Sequence, residues 1–160
     1  RPVQWKDWTI DILATDVSAS VVRAARQGCY SQFEIQRGLG VLQMIEWFDE
    51  TPQGWQVKSE LLSNIRFQVH NVLNLPPAEA RFDIVLCRNV LLYFDLANRT
   101  RAFERLASAM TPGGYLLLGA GETVVGQTQS LLPDPACVGT YRHTNEISTN
   151  PRASRSQARA

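Results

Sequence analysis

Four residues each follow a stretch of chain that is apolar enough to form a buried strand. They are Asp16, Asn71, Asn89 and Gly121. In open α/β sheets, ligands bind in the crevice at the carboxyl ends of the strands. Because all of these residues come just past a predicted strand end, the sequence predicts a ligand site at that edge of a sheet.

Asp16 has the side chain needed to bind a ribose. A carboxylate at the end of the second strand of a nucleotide-binding sheet accepts hydrogen bonds from both ribose hydroxyls. A helix N-cap or a solvated loop carboxylate is the structural alternative, and the sequence leaves both open. NAD and S-adenosylmethionine each contain a ribose, so Asp16 indicates a class of cofactor and does not distinguish between them.

Two asparagines and a tyrosine have groups suited to the rest of such a ligand. The amide of Asn71 can both donate to and accept from an adenine, although a lone Asn is more typical of a turn. Asn89 follows the most apolar strand and could meet the amino-acid part of a cofactor, or it could belong to a turn. Tyr93 could hold a substrate carboxylate, although a Tyr beside Phe94 is also typical of a core.

Other kinds of site have little support. The three cysteines, Cys29, Cys87 and Cys137, are odd in number and widely spaced, which predicts neither a disulfide framework nor a metal site. His70 and His143 lie far apart without a third residue at metal-ligand spacing. No Ser lies on a recognisable nucleophile elbow, so a Ser-His-Asp site is not predicted.

The composition is that of an ordinary globular domain and limits the partners. The chain has 160 residues, of which 44% are hydrophobic, and a net charge of +1. That charge gives no bulk attraction to nucleic acid or to an acidic membrane. No apolar run approaches the roughly 20 residues of a membrane span. With its unpaired cysteines, the sequence predicts a cytoplasmic protein without nucleic-acid partners or membrane insertion.

Strands and helices alternate in the way that an α/β sheet requires. The apolar and β-branched patterns predict strands at residues 8–15, 65–69, 82–87 and 115–118, a hairpin arm at 55–62, and an antiparallel edge strand at 138–142. Helices are predicted between Ser18 and Gly28, over 41–48, and over 96–110 with Asp95 as the N-cap. Residues 51–54 and 111–114 are typical of turns. The order predicts a sheet with helices on both faces.

Four strings of the sequence closely resemble the glutamate methyltransferases of bacterial chemotaxis (CheR-type). They are ILATDVSASVVRAARQGCY, IRFQVHNVLNLP, FDIVLCRNVLLYFD and MTPGGYLLLGAGETVVG, of which CRNV-x-x-YF-D is the most specific. They occur in the family's order between Trp8 and Tyr141. The resemblance implies a Rossmann-like sheet of the S-adenosylmethionine-dependent methyltransferases. It also implies methyl transfer from that cofactor to glutamate side chains in the cytoplasmic domain of chemoreceptors.

The resemblance also assigns roles to individual residues. Asp16 matches the residue that binds the ribose, and Asn71 with Val72 matches the pair at the adenine. Asn89 and Val90 match residues near the methionine part of the cofactor. Tyr93 matches a tyrosine at the active centre. Tyr93 and Arg88 are the candidates for holding the substrate carboxylate. Gly121 and Glu122 match a closing G-x-x-E segment that is expected to be structural. No metal is implied.

Several parts of the family pattern have no counterpart here. The N-terminal helical domain, the first sheet strand, the Gly-rich cofactor loop and an upstream substrate-orienting Arg are all missing. The resemblance therefore predicts a partial catalytic domain at residues 1–142, with a small receptor-docking subdomain at about 30–64. Residues 143–160, which are polar and basic, are expected to form a disordered tail.

The missing strand has a physical consequence. In this fold the first strand lies between the second and the fourth, so its loss leaves residues 10–14 and 84–87 without backbone partners. Each buried, unpaired peptide group costs about 1–3 kcal/mol. The sequence therefore predicts a strained chain, a non-native pairing or a strand-swapped dimer, and it leaves open whether the chain is active alone.

Two other functions remain alternatives from the sequence. The first is a non-catalytic interaction module that kept the fold after losing the cofactor loop. The second is an NAD-dependent oxidoreductase that uses Asp16 on the ribose. The second would need a G-x-G-x-x-G before Asp16, and it leaves the CRNVLLYFD string unexplained.

Overall fold

The computed structural model describes residues 8–77 and 81–144. These residues form two compact units that divide between Asn71 and Val72, and each unit is described by itself. The tail predicted at 143–160 falls almost entirely outside the described residues.

In the first unit, a parallel strand pair flanks a well-capped helix. Strand β1 (Ile12–Asp16) pairs in parallel with the strand at Ile65–Val69, and Asp16 lies opposite Val69. Helix α1 (Ala19–Gln27) begins after Ser18, whose hydroxyl accepts the Val21 N–H, and it ends at Gly28 in the left-handed conformation. The predicted helix and both caps are confirmed, whereas β1 begins at Ile12 instead of residue 8.

Along the chain, the residues between those two strands form a small antiparallel sheet with short helices. The elements are β2 (Cys29–Tyr30), α2 (Gln32–Gln36), α3 (Val41–Trp47), β3 (Phe48–Thr51), β4 (Gly54–Val57) and α4 (Ser59–Leu62), and the Ile65–Val69 strand that follows is β5. The sheet order is β2-β4-β3. The hairpin arm predicted at 55–62 is therefore wrong beyond Val57. Ser59–Leu62 has good helix formers and no β-branched residue, which favours a helical turn.

The second unit contains a four-stranded mixed sheet and one long helix. The elements are β6 (Phe82–Cys87), a 3₁₀ turn (Leu91–Tyr93), α5 (Leu96–Ser108), β7 (Met110–Leu118), β8 (Leu131–Pro133) and β9 (Thr140–His143). The sheet order is β6-β7-β9-β8, with β6 and β7 parallel and the other pairs antiparallel. The core includes Phe103 of α5 and Leu116 of β7, which are 1% and 0% exposed.

Two predictions about this sheet are wrong. Residues 111–114 are not a free turn but a bulge within β7, because Met110 pairs with Phe82 and Tyr115 already pairs with Ile84. The predicted edge strand lies inside the sheet as β9, between β7 and β8. β8 was not predicted, because three residues give too short a pattern to recognise.

Two parallel strands each have an open edge. Within residues 8–77 and 81–144, β1 pairs only with β5, and β6 pairs only with β7. Ile84 and Leu86 project from the same face of β6 and are 62% and 69% exposed, whereas Cys87 on the opposite face is buried in the core. The apolar pattern of β6 predicted burial on both faces, and in the described structure only one face is covered.

Candidate functional site

Asp16 lies at the carboxyl end of β1, where its side chain closes a short turn. One oxygen, Oδ1, accepts the Ser18 N–H at 2.7 Å, and the Asp16 carbonyl accepts the His70 N–H at 2.9 Å. Among the described residues, no group donates to the other oxygen, Oδ2. The turn interpretation and the ribose interpretation of Asp16 are therefore compatible, since one oxygen serves the fold and the other can accept from a ligand.

Asn71 lies beside this turn in the first unit. It follows β5 by two residues and is half-buried. Because the end of β5 pairs with the end of β1, Asp16 and Asn71 both follow the same edge of one parallel sheet, as the sequence predicted. Val72, the partner assigned to Asn71, belongs to the second unit and packs against its core.

The segment after β6 carries the remaining candidates. Asn89 has a φ of 58°, and among the described residues it is the only non-glycine with a positive φ. This left-handed conformation is uncommon, although Asn adopts it more readily than most residues. Arg88 and Asn89 are exposed, Val90 is 43% exposed, and Tyr93 at the end of the 3₁₀ turn is 89% exposed. The exposure of Tyr93 excludes the core alternative within this unit.

The carboxylate of Glu122 holds this segment in place. Its Oε2 accepts the N–H of Asn89 at 2.8 Å and of Gly119 at 2.9 Å. Its Oε1 accepts the N–H of Val90 at 3.0 Å and of Leu91 at 2.8 Å. We call this set of four main-chain bonds the Glu122 clamp. It ties the segment after β6 to the segment after β7, so the carboxyl ends of these two strands are joined through one side chain.

Burial and hydrogen bonding act in opposite directions on this carboxyl. Burial raises the pKa of Glu122, but the four N–H groups stabilise the carboxylate and outweigh it, so its pKa lies below the usual 4.5. Glu122 is thus ionised at neutral pH although it is only 8% exposed. Burial, together with the Glu122 carboxylate, raises the pKa of Cys87 to about 12.

Gly119 leaves the space that the clamp requires. A Cβ at this position would lie 2.4 Å from Asn89 Oδ1 and 2.9 Å from Glu122 Oε2. Both distances are too short for a carbon contact. The glycine is therefore needed because the Asn89 side chain and the Glu122 carboxylate approach the backbone closely, and not because of an unusual φ.

The structure thus brings the predicted residues together in two groups, one in each unit. Asp16 and Asn71 share the end of the β1–β5 pair, and Arg88, Asn89, Val90 and Tyr93 share the segment after β6. The sequence assigned Glu122 to a structural segment but did not predict its contact with Asn89. The G-x-x-E spacing after a strand was the signal, and its partners lie 31 to 33 residues earlier in the chain.

The described residues contain neither a metal-binding cluster nor a membrane-spanning helix. In residues 8–77 and 81–144, no group of three or more His, Cys, Asp or Glu side chains is arranged to hold a metal ion. In the same ranges, no helix has the length and apolar character needed to cross a membrane.

Comparison with known proteins identifies relatives for most of the chain. A chemotaxis protein methyltransferase of Vibrio parahaemolyticus is 36% identical over 121 residues, which cover 75% of this chain and 44% of that protein. Chemotaxis protein methyltransferase 1 of Pseudomonas aeruginosa is 37% identical over 116 residues, which cover 72% of this chain and 42% of that protein. The chain therefore matches less than half the length of these relatives.

The match to a family model covers more of the chain. Residues 3–134 match the family described as "CheR methyltransferase, SAM binding domain". The resemblance found in the four sequence strings is thus confirmed, and so is the Rossmann-like fold class. S-adenosylmethionine is confirmed as the cofactor of the family, which removes the reason to consider NAD. The chain belongs to the CheR methyltransferase family and contains residues of its SAM-binding domain.

Proposed function

We propose that this chain is the cofactor-binding part of a protein-glutamate O-methyltransferase that acts on the cytoplasmic domains of chemoreceptors. The observation that carries the proposal is the Glu122 clamp, which holds Asn89 in a left-handed turn at the end of β6 and leaves Tyr93 almost fully exposed. Relatives named as chemotaxis protein methyltransferases support methyl transfer in chemotaxis.

The residues present fit S-adenosylmethionine in chemistry. Asp16 offers Oδ2 to a ribose hydroxyl, and Asn71 with Val72 offers an amide and an apolar contact to the adenine. Asn89 and Val90 would contact the methionine part at the end of β6. We assign these five residues to cofactor binding, each at the carboxyl end of a parallel strand, where α/β sheets bind nucleotides.

The reaction does not require the protein to supply a general base. When bound, S-adenosylmethionine supplies an electrophilic methyl group on a sulfonium. A glutamate side chain has an ordinary pKa of about 4.3 and is therefore already a carboxylate near neutral pH. What remains for the protein is to orient that carboxylate and to exclude water. The exposed hydroxyl of Tyr93 can donate a hydrogen bond to it, and Arg88 can pair with its charge.

The small sheet of the first unit is our candidate for docking the receptor. The β2-β4-β3 sheet with its short helices lies within the predicted 30–64 region, apart from Cys29 at the start of β2. If its partners are the cytoplasmic domains of chemoreceptors, the protein acts in the cytoplasm. The docking role of the small sheet and the cytoplasmic location both depend on the proposed methyl transfer to receptors.

Calorimetric titration of S-adenosylhomocysteine, the reaction product, tests cofactor binding. We expect wild-type chain to bind and Asp16→Ala to bind at least about tenfold more weakly, since a bond to a charged group contributes about 1.5–3 kcal/mol. Asp16→Asn keeps an oxygen for the Ser18 N–H but loses the charge, so it separates ribose binding from the turn. Asp11→Ala is the control, because Asp11 is 63% exposed in a surface ion pair with Arg66.

The outcomes separate the proposal from its main rival. Binding that weakens in both Asp16 variants and not in Asp11→Ala supports the cofactor site, and methyl transfer to a receptor fragment is the next assay. Absence of binding to a folded wild-type chain would contradict the proposal for this chain and favour a non-catalytic interaction module.

A further inference from the structure

The turn after β6 adopts a conformation that its own residues do not favour. Asn89 has a φ of 58°, and a non-glycine residue in this region needs support from its surroundings. Val90 precedes the 3₁₀ turn and Leu91 begins it, so the N–H groups of both residues have no helical partner. An unsatisfied N–H is costly where it is buried, as the Leu91 N–H is. The shape of this turn therefore depends on an acceptor from elsewhere in the chain.

Glu122 supplies that acceptor with both of its oxygens. All three consecutive N–H groups of residues 89–91 point at one carboxylate, at distances of 2.8 to 3.0 Å. Three successive peptide groups can converge on one anion only when the backbone curls around it, as anion-binding nests do. A left-handed residue at the start of the run provides such a curl. The left-handed conformation of Asn89 and the binding of the Glu122 carboxylate by these N–H groups therefore depend on each other.

We propose that Glu122 is the positioning residue of the cofactor site, and that its carboxylate sets the left-handed turn which aims the Asn89 side chain and fixes the Val90 peptide group. Glu122 itself is buried beneath the turn and is not expected to contact a ligand. The consequence for cofactor binding rests on the proposed function, whereas the consequence for the turn does not.

Two variants disturb the clamp in different ways. Glu122→Gln keeps the size of the side chain but removes the charge and replaces one acceptor oxygen by an NH₂ group, which faces main-chain donors. Gly119→Ala keeps the carboxylate but places a methyl group 2.4 Å from Asn89 Oδ1. Glu122→Asp retains a shorter carboxylate and is the conservative variant. Each perturbs the same turn through a different atom.

Glu104→Gln is the matched control. Glu104 lies on α5 in the same unit, and its carboxylate accepts hydrogen bonds from the hydroxyls of Thr128 and Ser130. Its pKa is also lowered, with those hydroxyl bonds as the main cause. The control therefore removes the same charge from an anion whose hydrogen-bond donors, among the described residues, are hydroxyl groups.

The first measurement reports the turn and needs no ligand. The ¹³Cα and ¹³Cβ chemical shifts of Asn89 distinguish a left-handed residue from an extended one. We expect left-handed shifts in the wild type and in Glu104→Gln, and their loss in Glu122→Gln and Gly119→Ala, with Glu122→Asp in between. Unchanged Asn89 shifts in Glu122→Gln would overturn the inference. If Glu122→Gln does not fold, the Asn89 chemical shifts of Gly119→Ala test whether the Glu122 clamp sets the left-handed turn.

The second measurement reports the consequence for the site. Calorimetric titration of S-adenosylhomocysteine is expected to show a dissociation constant at least about tenfold higher for Glu122→Gln and Gly119→Ala, with partial recovery in Glu122→Asp. Binding equal to wild type in a variant that has lost the left-handed turn would overturn the positioning role. If the wild type itself does not bind, the proposed function and this consequence fail for the chain, while the Asn89 shifts still decide whether Glu122 sets the turn.

Discussion

At the scale of single residues, the site is built from main-chain groups as much as from side chains. Asp16 uses one oxygen to shape its own turn, and Glu122 uses both oxygens to shape the turn of another segment. In both places a carboxylate that resembles a ligand-binding group also holds backbone N–H groups. Substitutions at these carboxylates therefore change the local fold and the binding chemistry together, and the experiments must separate the two effects.

The clamp makes stability depend on pH. Because the pKa of Glu122 is lower in the folded chain than its usual 4.5, the stability it contributes is fully present above pH 4.5 and is lost as pH falls through the folded pKa. We expect the free-energy difference between wild type and Glu122→Gln to be largest at pH 6 and to shrink between pH 4.5 and 3. Urea unfolding across that range measures it, and a difference that stays constant would contradict this account.

The three thiols are expected to differ in reactivity. Cys29 and Cys137 are exposed, whereas Cys87 is 6% exposed and has a pKa raised to about 12 by burial and by Glu122. Since the thiolate is the reactive form, Cys87 should stay unmodified at pH 8. Titration with a thiol reagent should count two fast groups in native protein and the third after denaturation. Fast modification of Cys87 in native protein would show that β6 is not packed as described.

At the scale of elements, the glycine that ends α1 serves both as the helix cap and as a contact with a strand distant in the sequence. Gly28 ends the helix with a φ of 66°, and a Cβ there would lie 2.3 Å from Val57 Cγ1 of β4. The glycine thus allows both the left-handed cap and the close packing of the small antiparallel sheet against it. The chain could not turn from α1 into β2 in this way with a larger residue.

Gly28→Ala should destabilise the first unit by about 1–3 kcal/mol, because the substituted residue is strained and its methyl group overlaps Val57. Gly38→Ala is the control, since no atom lies within 4 Å of the added Cβ and its φ is not in the left-handed region. The control should be neutral or slightly stabilising. Thermal unfolding of both variants measures the difference, and equal effects would contradict the role given to Gly28.

Sequence patterns predicted the elements well where local signals and tertiary contacts agree. β5 and β6 have the predicted bounds, and the caps of α1 and α5 are Ser18, Gly28 and Asp95 as expected. The turn at 111–114 failed because pairing of Met110 and Tyr115 with β6 overrides local turn chemistry. Asn89 was identified from its position after a strand. Glu122 was assigned only to a structural segment, and its contact with Asn89 was not predicted, since no local pattern reports a contact over 33 residues.

At the scale of the whole molecule, the open edge of β6 is the feature that matters most. Paired only with β7 among the described strands, β6 also exposes Ile84 and Leu86 on one face. Unpaired edges with apolar side chains are templates for pairing with another chain. Because no described strand pairs with the other edge of β6, a second copy of the chain is an available partner.

We expect the chain to self-associate as its concentration rises, and the Ile84→Lys, Leu86→Lys double variant to remain monomeric. Lysines on an open edge strand oppose pairing by charge repulsion and desolvation. The control is Val125→Lys with Val138→Lys, since these apolar residues are also exposed but lie outside β6. Sedimentation across a concentration series tests this, and equal association in both double variants would exclude the β6 edge as the contact.

An open strand edge also affects how long a protein survives in a cell. Quality-control chaperones and proteases act on chains that expose apolar segments, and a loss of about 1–2 kcal/mol in stability can alter steady-state abundance several-fold. A chain whose β6 edge is paired with another strand should therefore have a longer cellular half-life than a chain whose β6 edge remains unpaired. The cellular half-life of this chain then becomes a measure of whether any strand occupies the position beside β6.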